Sequence, residues 1–307
     1  MSKQQIKHLI ESRIHEDGLA ETGVKGVKLF RATTPVPCAP AVYEPSVVAI
    51  VSGAKEAVLD GERYVYDDSQ YLCCPMSMPI QAGTPDASPD NPLYGVYVSL
   101  DQRVMTELII EMERTGGSIS IAKGSAAKGS AAKGSPTAGS PTAQGVKFAR
   151  WDEAFSDALL RLLQLGKSQT DVAVLGDARL RELYYAILKG EAGIFASQAF
   201  GAGNVIARAI AYVSSNLNEP ITIDEMATRA GMSRAVFHRK FKQATTMSPI
   251  QFVKSMRLNN AAMKIAGGMS VNEAAMDVGY LSASQFSREF KRMYGQSPRQ
   301  WSNAQQQ

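Results

Sequence analysis

The feature that most constrains this chain is a unit that occurs twice toward its C-terminal end. Residues 221–242, ITIDEMATRAGMSRAVFHRKFK, read as a helix, a tight turn and a second helix. Ala230-Gly231-Met232 forms the turn, because a glycine supplies the positive φ that a sharp corner between helices needs. Ser233 is the expected N-cap of the second helix, and Phe237 and Phe241, four residues apart, form its buried edge. Residues 221–231 align with 269–279 at an offset of 48, and 233–249 with 282–298 at an offset of 49. Gly231 then falls on Gly279, Ser233 on Ser282, Phe237 on Phe286 and Arg239 on Arg288. Phe241-Lys242 falls on Phe290-Lys291, and Ser248-Pro249 on Ser297-Pro298. The matches are corner, cap, core and helix-start residues, as expected of a repeated structural unit.

In each second helix the phenylalanines fix which face is buried. The outward positions near its N-terminus are then Arg234, Ala235, His238 and Arg239 in the first copy, and Ala283, Ser284, Ser287 and Arg288 in the second. Arginine can grip guanine with two hydrogen bonds, serine and histidine can bond base edges, and alanine can meet a thymine methyl. These eight residues are the candidates for base contact. Lys240, Lys242, Lys291 and Arg292 lie further along and suit phosphates, which position a protein without specifying sequence. The plain alternative for Arg239 and Arg288 is a solvated or salt-bridged arginine, and their equivalent place in both copies weighs against it. Between the copies, Ser248-Pro249 opens a helix that runs to about Ala266 and ends at Gly267-Gly268. Its length, about 25 Å at 1.5 Å per residue, plus packing on either side, would set two reading helices about 34 Å apart. They could enter successive major grooves on one face of a duplex, without a dimer.

Charge agrees with that division. Residues 205–307 hold 13 Lys+Arg against 6 Asp+Glu, a balance of +7; residues 1–204 hold 20 against 23, a balance of −3. A basic C-terminal part on a slightly acidic N-terminal one predicts a polyanion partner for the C-terminal part alone.

The N-terminal part has a different pattern. Residues 3–17 read as a short amphipathic helix without a signal-peptide core. From Val27, runs such as VKLFRATTP, SVVAIVSG, EAVLDGERYVYDD, QYLCCPMSMPIQAG and YGVYVSL are rich in β-branched and aromatic residues and cut by turn residues. Asp60-Gly61 is a strong hairpin signal. A small antiparallel barrel or sandwich over about 27–100 follows. Asp101 then caps a helix to about Arg114. Residues 122–143 are a tandem repeat of AKGSA type with no apolar stripe, expected as a flexible linker of natural or engineered origin. Helical spacing resumes at Trp151, so residues 144–200 are expected as helices packed on the barrel or on a second subunit. The fold class expected is α+β. A small antiparallel β-barrel with packed helices (domain 1–121 and helices 144–200) precedes an all-α domain (204–303) of two helix-turn-helix units joined by a long helix.

At this point a resemblance can be named. Residues 204–303 resemble the DNA-binding domain of the AraC/XylS family of transcription regulators, through MATRAGMSRAVFHRKFK, MSPIQFVKSMRLNNA and AAMDVGYLSASQFSREFKRMYGQSPRQW. Residues 27–101 are similar to the N-terminal module of one subgroup. The resemblance implies a cupin-like barrel that takes a small-molecule effector or governs dimerisation. It also implies a bacterial, cytoplasmic regulator of double-stranded promoter DNA, activator rather than repressor, with RNA polymerase as a partner if it activates. The repeat 122–143 is what the family does not predict, and Ala235 stands where many relatives carry a larger side chain.

Two rival functions are weighed against this reading. A metal-dependent cupin enzyme would need imidazoles on the barrel, yet the three histidines are His8, His15 and His238 and none lies between 21 and 237. No enzyme activity, metal or cofactor is therefore expected. The other rival is a ligand-blind regulator whose barrel only dimerises, and the sequence leaves it open. Cys38, Cys73 and Cys74 are too few for a disulfide framework; reduced thiols are expected, with a thiol or effector site as the sharper alternative to inert packing. No apolar run approaches the length of a membrane span.

Overall fold

The computed structural model describes residues 2–115, 142–143, 145–201 and 203–305. Helix α1 (Ser2–Glu11) leads into nine strands: β1 (Gly18–Glu21), β2 (Val27–Ala32), β3 (Val36–Tyr43), β4 (Ser46–Ser52), β5 (Ala54–Leu59), β6 (Glu62–Asp67), β7 (Gln70–Cys74), β8 (Met78–Thr84) and β9 (Leu93–Ser99). Helix α2 (Gln102–Arg114) follows, then β10 (Thr142–Ala143), β11 (Val146–Arg150), α3 (Glu153–Gln164), α4 (Gln169–Lys189) and α5 (Gly193–Phe200). The remainder is helical: α6 (Val205–Ser215), α7 (Ile223–Arg229), α8 (Arg234–Thr245), α9 (Pro249–Ala266), α10 (Val271–Asp277), α11 (Ala283–Tyr294) and α12 (Pro298–Gln305).

The strands divide into two facing antiparallel sheets, of order β1-β2-β9-β4-β7-β11-β10 and β3-β8-β5-β6, and not one continuous hydrogen-bonded ring. Strand β4 is buried along nearly its whole length, which explains why SVVAIVS is a continuous apolar run: both faces of the larger sheet are covered. On one face Tyr71 of β7 stacks on Phe155 of α3, 4.2 Å between ring centres. On the other, Phe148 of β11 lies against Tyr64 and Tyr66 of β6, 5.4 and 5.3 Å away. Gly95 of β9 lies beneath the Phe30 ring, which any Cβ there would strike. The β5–β6 hairpin turns on Asp60 and Gly61, both at positive φ, as a two-residue turn between right-twisted strands requires.

Three segments depart from expectation. Val146–Arg150 is a strand, pairing antiparallel with β7, so 144–200 is not wholly helical and the sheet is completed from beyond residue 121. Its five residues bury Val146 and Phe148, a pattern too short to stand out beside the helix that follows. Val36–Tyr43 is also a strand, although its prolines argue against one; as an edge strand of the smaller sheet it tolerates them. The four-residue β1 extends the larger sheet through its pairing with β2. The repeat 122–143 lies outside the described residues apart from Thr142 and Ala143, which form the short β10.

Helix α9 is the centre of the C-terminal domain and also its contact with the N-terminal one. Its Leu258, Ala261, Ala262 and Ile265 enter a core with Phe286, Phe290 and Trp301, against which Ala39 of β3 packs. The Asn259 side chain is buried at the seam. Its Nδ2 donates to the carbonyls of Ala41 and Ile80, at 2.7 and 3.0 Å, and its Oδ1 accepts from the Tyr294 hydroxyl at 2.5 Å.

Candidate nucleic-acid interface

Each unit is built from the same local devices. Thr222 with Glu225, and Ser270 with Glu273, form reciprocal capping boxes at the starts of α7 and α10. Gly231 and Gly279 make the corners at φ of 63° and 85°. Ser282 caps α11 through the Gln285 N–H, whereas Ser233 occupies the equivalent place at α8 without a side-chain hydrogen bond. The first unit is therefore capped less well than the sequence suggests. Phe237, Phe241, Phe286 and Phe290 are fully buried, and burying each ring contributes about 1.5–3 kcal/mol. The aromatic repeat runs further than the aligned motif: Phe241 meets Phe252 at 5.2 Å, and Phe290 meets Trp301 at 6.2 Å. Phe252 and Trp301 keep the same offset of 49.

With those edges inward, the opposite stripes face solvent. Arg234, Ala235, His238, Arg239 and Lys242 are exposed on α8; Ala283, Ser284, Arg288, Lys291 and Arg292 are exposed on α11, and Ser287 is half-buried. Arg234 reaches Asp224 of α7 at 3.4 Å, both side chains in solvent, a pair worth little in isolation. Arg239 and Arg288 make no ion pair among the described residues. His238, Arg239, Lys242, Gln243 and Thr246 form one shallow, open patch along α8. Lys240 is exposed but turned off this stripe, toward Asn204, Val205 and Met232.

The second stripe is held by residues that the sequence pattern did not single out. Glu289, next to Arg288, accepts from the Tyr280 hydroxyl at 2.8 Å and pairs with Lys254 of α9 at 3.0 Å. Burial raises the Glu289 pKa, but the Tyr280 and Lys254 contacts outweigh it and hold the carboxyl below the usual glutamate range. Lys254 sits where a helix pattern shows only an ordinary surface lysine, so spacing alone gave no signal.

The three thiols lie at different depths. Cys73 and Cys74 are both buried, because helices cover the face that alternation would otherwise leave to water. Burial pushes Cys73 up to about 12 and moves Cys74 the same way. Cys38 on β3 is half-buried and, through burial and then the neighbouring Glu56, raised to about 11. Such groups hold little thiolate, the form that reacts.

Comparison with known proteins agrees with this architecture. Residues 23–195 match the AraC-type transcriptional regulator N-terminus, and residues 226–304 match a helix-turn-helix domain. The chain belongs to the AraC-type transcriptional regulators. It is 30% identical over 95 residues to regulatory protein SoxS of Escherichia coli (strain K12), which is 31% of this chain and 89% of SoxS. It is 41% identical over 80 residues to the HTH-type transcriptional regulator MtrA of Neisseria gonorrhoeae, 26% of this chain but 27% of MtrA's length. Its fold is similar to that of unsaturated fatty acid-bound ToxT from Vibrio cholerae, with a TM-score of 0.53 at 12% identity, covering 94% of this chain and 97% of ToxT.

Proposed function

We propose that this chain binds double-stranded promoter DNA through both helix-turn-helix units and regulates transcription there, as an activator that works with RNA polymerase. The observation that carries the reading is the pair of exposed stripes at equivalent places, with Arg239 and Arg288 opposite buried aromatic edges. Base contact falls to Arg234, Ala235, His238 and Arg239 on α8 and to Ala283, Ser284, Ser287 and Arg288 on α11. Lys242, Lys291 and Arg292 continue the stripes and suit phosphates; Lys240 would reach only a flanking one. Sites selected from a random duplex library by the full chain test this. Arg239→Ala or Arg288→Ala should each cost about 1–3 kcal/mol on the selected site and relax preference within one block of it. An equal loss on random duplex would reassign the arginine to phosphate.

The N-terminal domain is the regulatory part in this reading. ToxT is bound to an unsaturated fatty acid, so a fold of this kind can hold a small molecule. Here the Tyr66 hydroxyl is buried between the sheets, with Tyr43 as its polar neighbour. Dimerisation is favoured by a different observation: α4 leaves Val174 and Leu175 exposed, and the adjacent α2 leaves Ile110 exposed. No described helix is long and apolar enough to cross a membrane.

A further inference from the structure

Helix α9 joins the two units, but a joint at one end of a helix does not fix how the second unit is rolled about it. The connection from α9 to α10 is Gly267-Gly268-Met269-Ser270, with Gly268 at φ 95° and open space where a Cβ would stand. The N–H groups of Gly267, Gly268 and Met269 donate back to the carbonyls of Met263, Ile265 and Lys264 at 2.9, 3.0 and 3.0 Å, which closes the end of α9 without reaching the first unit. The Lys264–Asp277 ion pair spans the connection at 2.9 Å, but both partners are substantially solvated, so it constrains little. The apolar core shared by α9, Phe286, Phe290 and Trp301 seats the second unit on the helix, but apolar packing alone does not tie its corner to the entry of the first unit.

Arg257, on the middle of α9, supplies that contact. Its Nε donates to the Leu217 carbonyl at 2.9 Å, and its Nη2 donates to the Glu219 carbonyl at 2.7 Å. Both carbonyls lie in the connection between α6 and α7, at the entry to the first unit. The same guanidinium touches the corner of the second unit: a Cβ on Gly279 would stand 3.1 Å from Nη2, and 2.6 and 3.0 Å from the Leu217 and Asn218 carbonyls. The corresponding corner of the first unit, Gly231, has nothing within 4 Å. Next to Gly279, Tyr280 holds Glu289 on α11, so the path runs from entry loop to guanidinium to corner to reading helix.

We propose that Arg257 is a positioning residue that sets the spacing and phase between the two reading helices, and with it the operator spacing the chain accepts. This rests on the reading that both units contact DNA. A planar guanidinium can donate in two directions while pressing its face on a glycine corner; a lysine can reach one carbonyl, and a methionine neither.

The test uses the full chain and duplexes selected by it from a random library. Two blocks of preferred bases are expected, and probes carry both blocks at the selected spacing, both with two base pairs inserted, or one block alone. The native chain should lose at least about tenfold in affinity on insertion, because the second block turns out of reach. Arg257→Met should bind single-block probes within about twofold of the native chain, while its loss on insertion shrinks to about threefold or less. Arg257→Lys should fall between. An insertion profile for Arg257→Met as steep as the native one would overturn the proposal. So would an equal loss on single-block probes, which marks general damage to the fold. If the methionine variant does not fold, the lysine variant is read by the same profile. Selection of a single block by the native chain would instead remove the two-groove reading, and the proposal with it.

Discussion

Thr246 ends α8 in the left-handed region at φ 68°, a conformation that costs a β-branched residue dearly. The residue 49 positions on, Gly295, ends α11 the same way at φ 76°. The second copy therefore has the residue that the geometry favours and the first does not. Thr246→Gly should raise stability by about 0.5–1 kcal/mol, the relief of strain less the added entropy of the unfolded chain. A thermal or urea midpoint unchanged or lowered would show that the Thr246 hydroxyl, which donates to the Thr245 carbonyl at 2.5 Å, matters more than the strain. At this scale the repeat made much legible. Corner and core residues, and the Ser282 cap, were readable because one backbone need recurs at a fixed offset. Arg257, Asn259 and Glu289 were not, because their partners come from elements distant in sequence and nothing in local spacing announces them.

Among the elements, α11 is seated by its buried Phe286 and Phe290 and is held beside them by a carboxylate. Glu289 pairs with Tyr280 and Lys254, and those contacts hold its pKa below the ordinary value of 4.5. A folded-state pKa that is depressed means the charged form is favoured in the native protein. That contribution is present above 4.5 and is lost as the pH falls through the lower folded value. Glu289→Gln should thus lower stability at neutral pH and flatten the acid side of the stability profile, with the two proteins converging toward low pH. Parallel profiles by pH-dependent thermal unfolding would remove Glu289 from this role. The elements themselves were readable in proportion to how far their own residues decide them. Helices with caps and long periodic faces were expected where they occur, and the Asp60-Gly61 hairpin likewise. Strands β3 and β11 were missed because their justification is tertiary: β3 is an edge that accepts prolines, and β11 exists only because β7 offers it a partner.

At the scale of the molecule, the two domains meet along one helix face and one buried amide. Asn259 of α9 satisfies carbonyls on adjacent strands β3 and β8, and receives the hydroxyl of Tyr294 at the end of α11. Met263, one turn further along α9, lies with its Sδ 3.2 Å from the Val42 N–H. The sheet edge that faces α9 is therefore tied both to the linking helix and to the second reading helix, which gives the N-terminal domain a physical hold on the DNA-binding one. Asn259→Ala removes all three hydrogen bonds and leaves the buried phenol without its acceptor, a cost of about 1–3 kcal/mol. The loss should be local. Amide hydrogen exchange should quicken in β3, at residues 39–43, and at the C-terminal end of α11, while the centre of the larger sheet, β4 and β9, keeps its protection. Asn259→Asp should not restore the seam, because a carboxylate cannot donate to the Ala41 and Ile80 carbonyls. If β3 exchanges at the native rate in Asn259→Ala, the domains are held by apolar contact between α9 and the sheet, and the amide has no part in joining them.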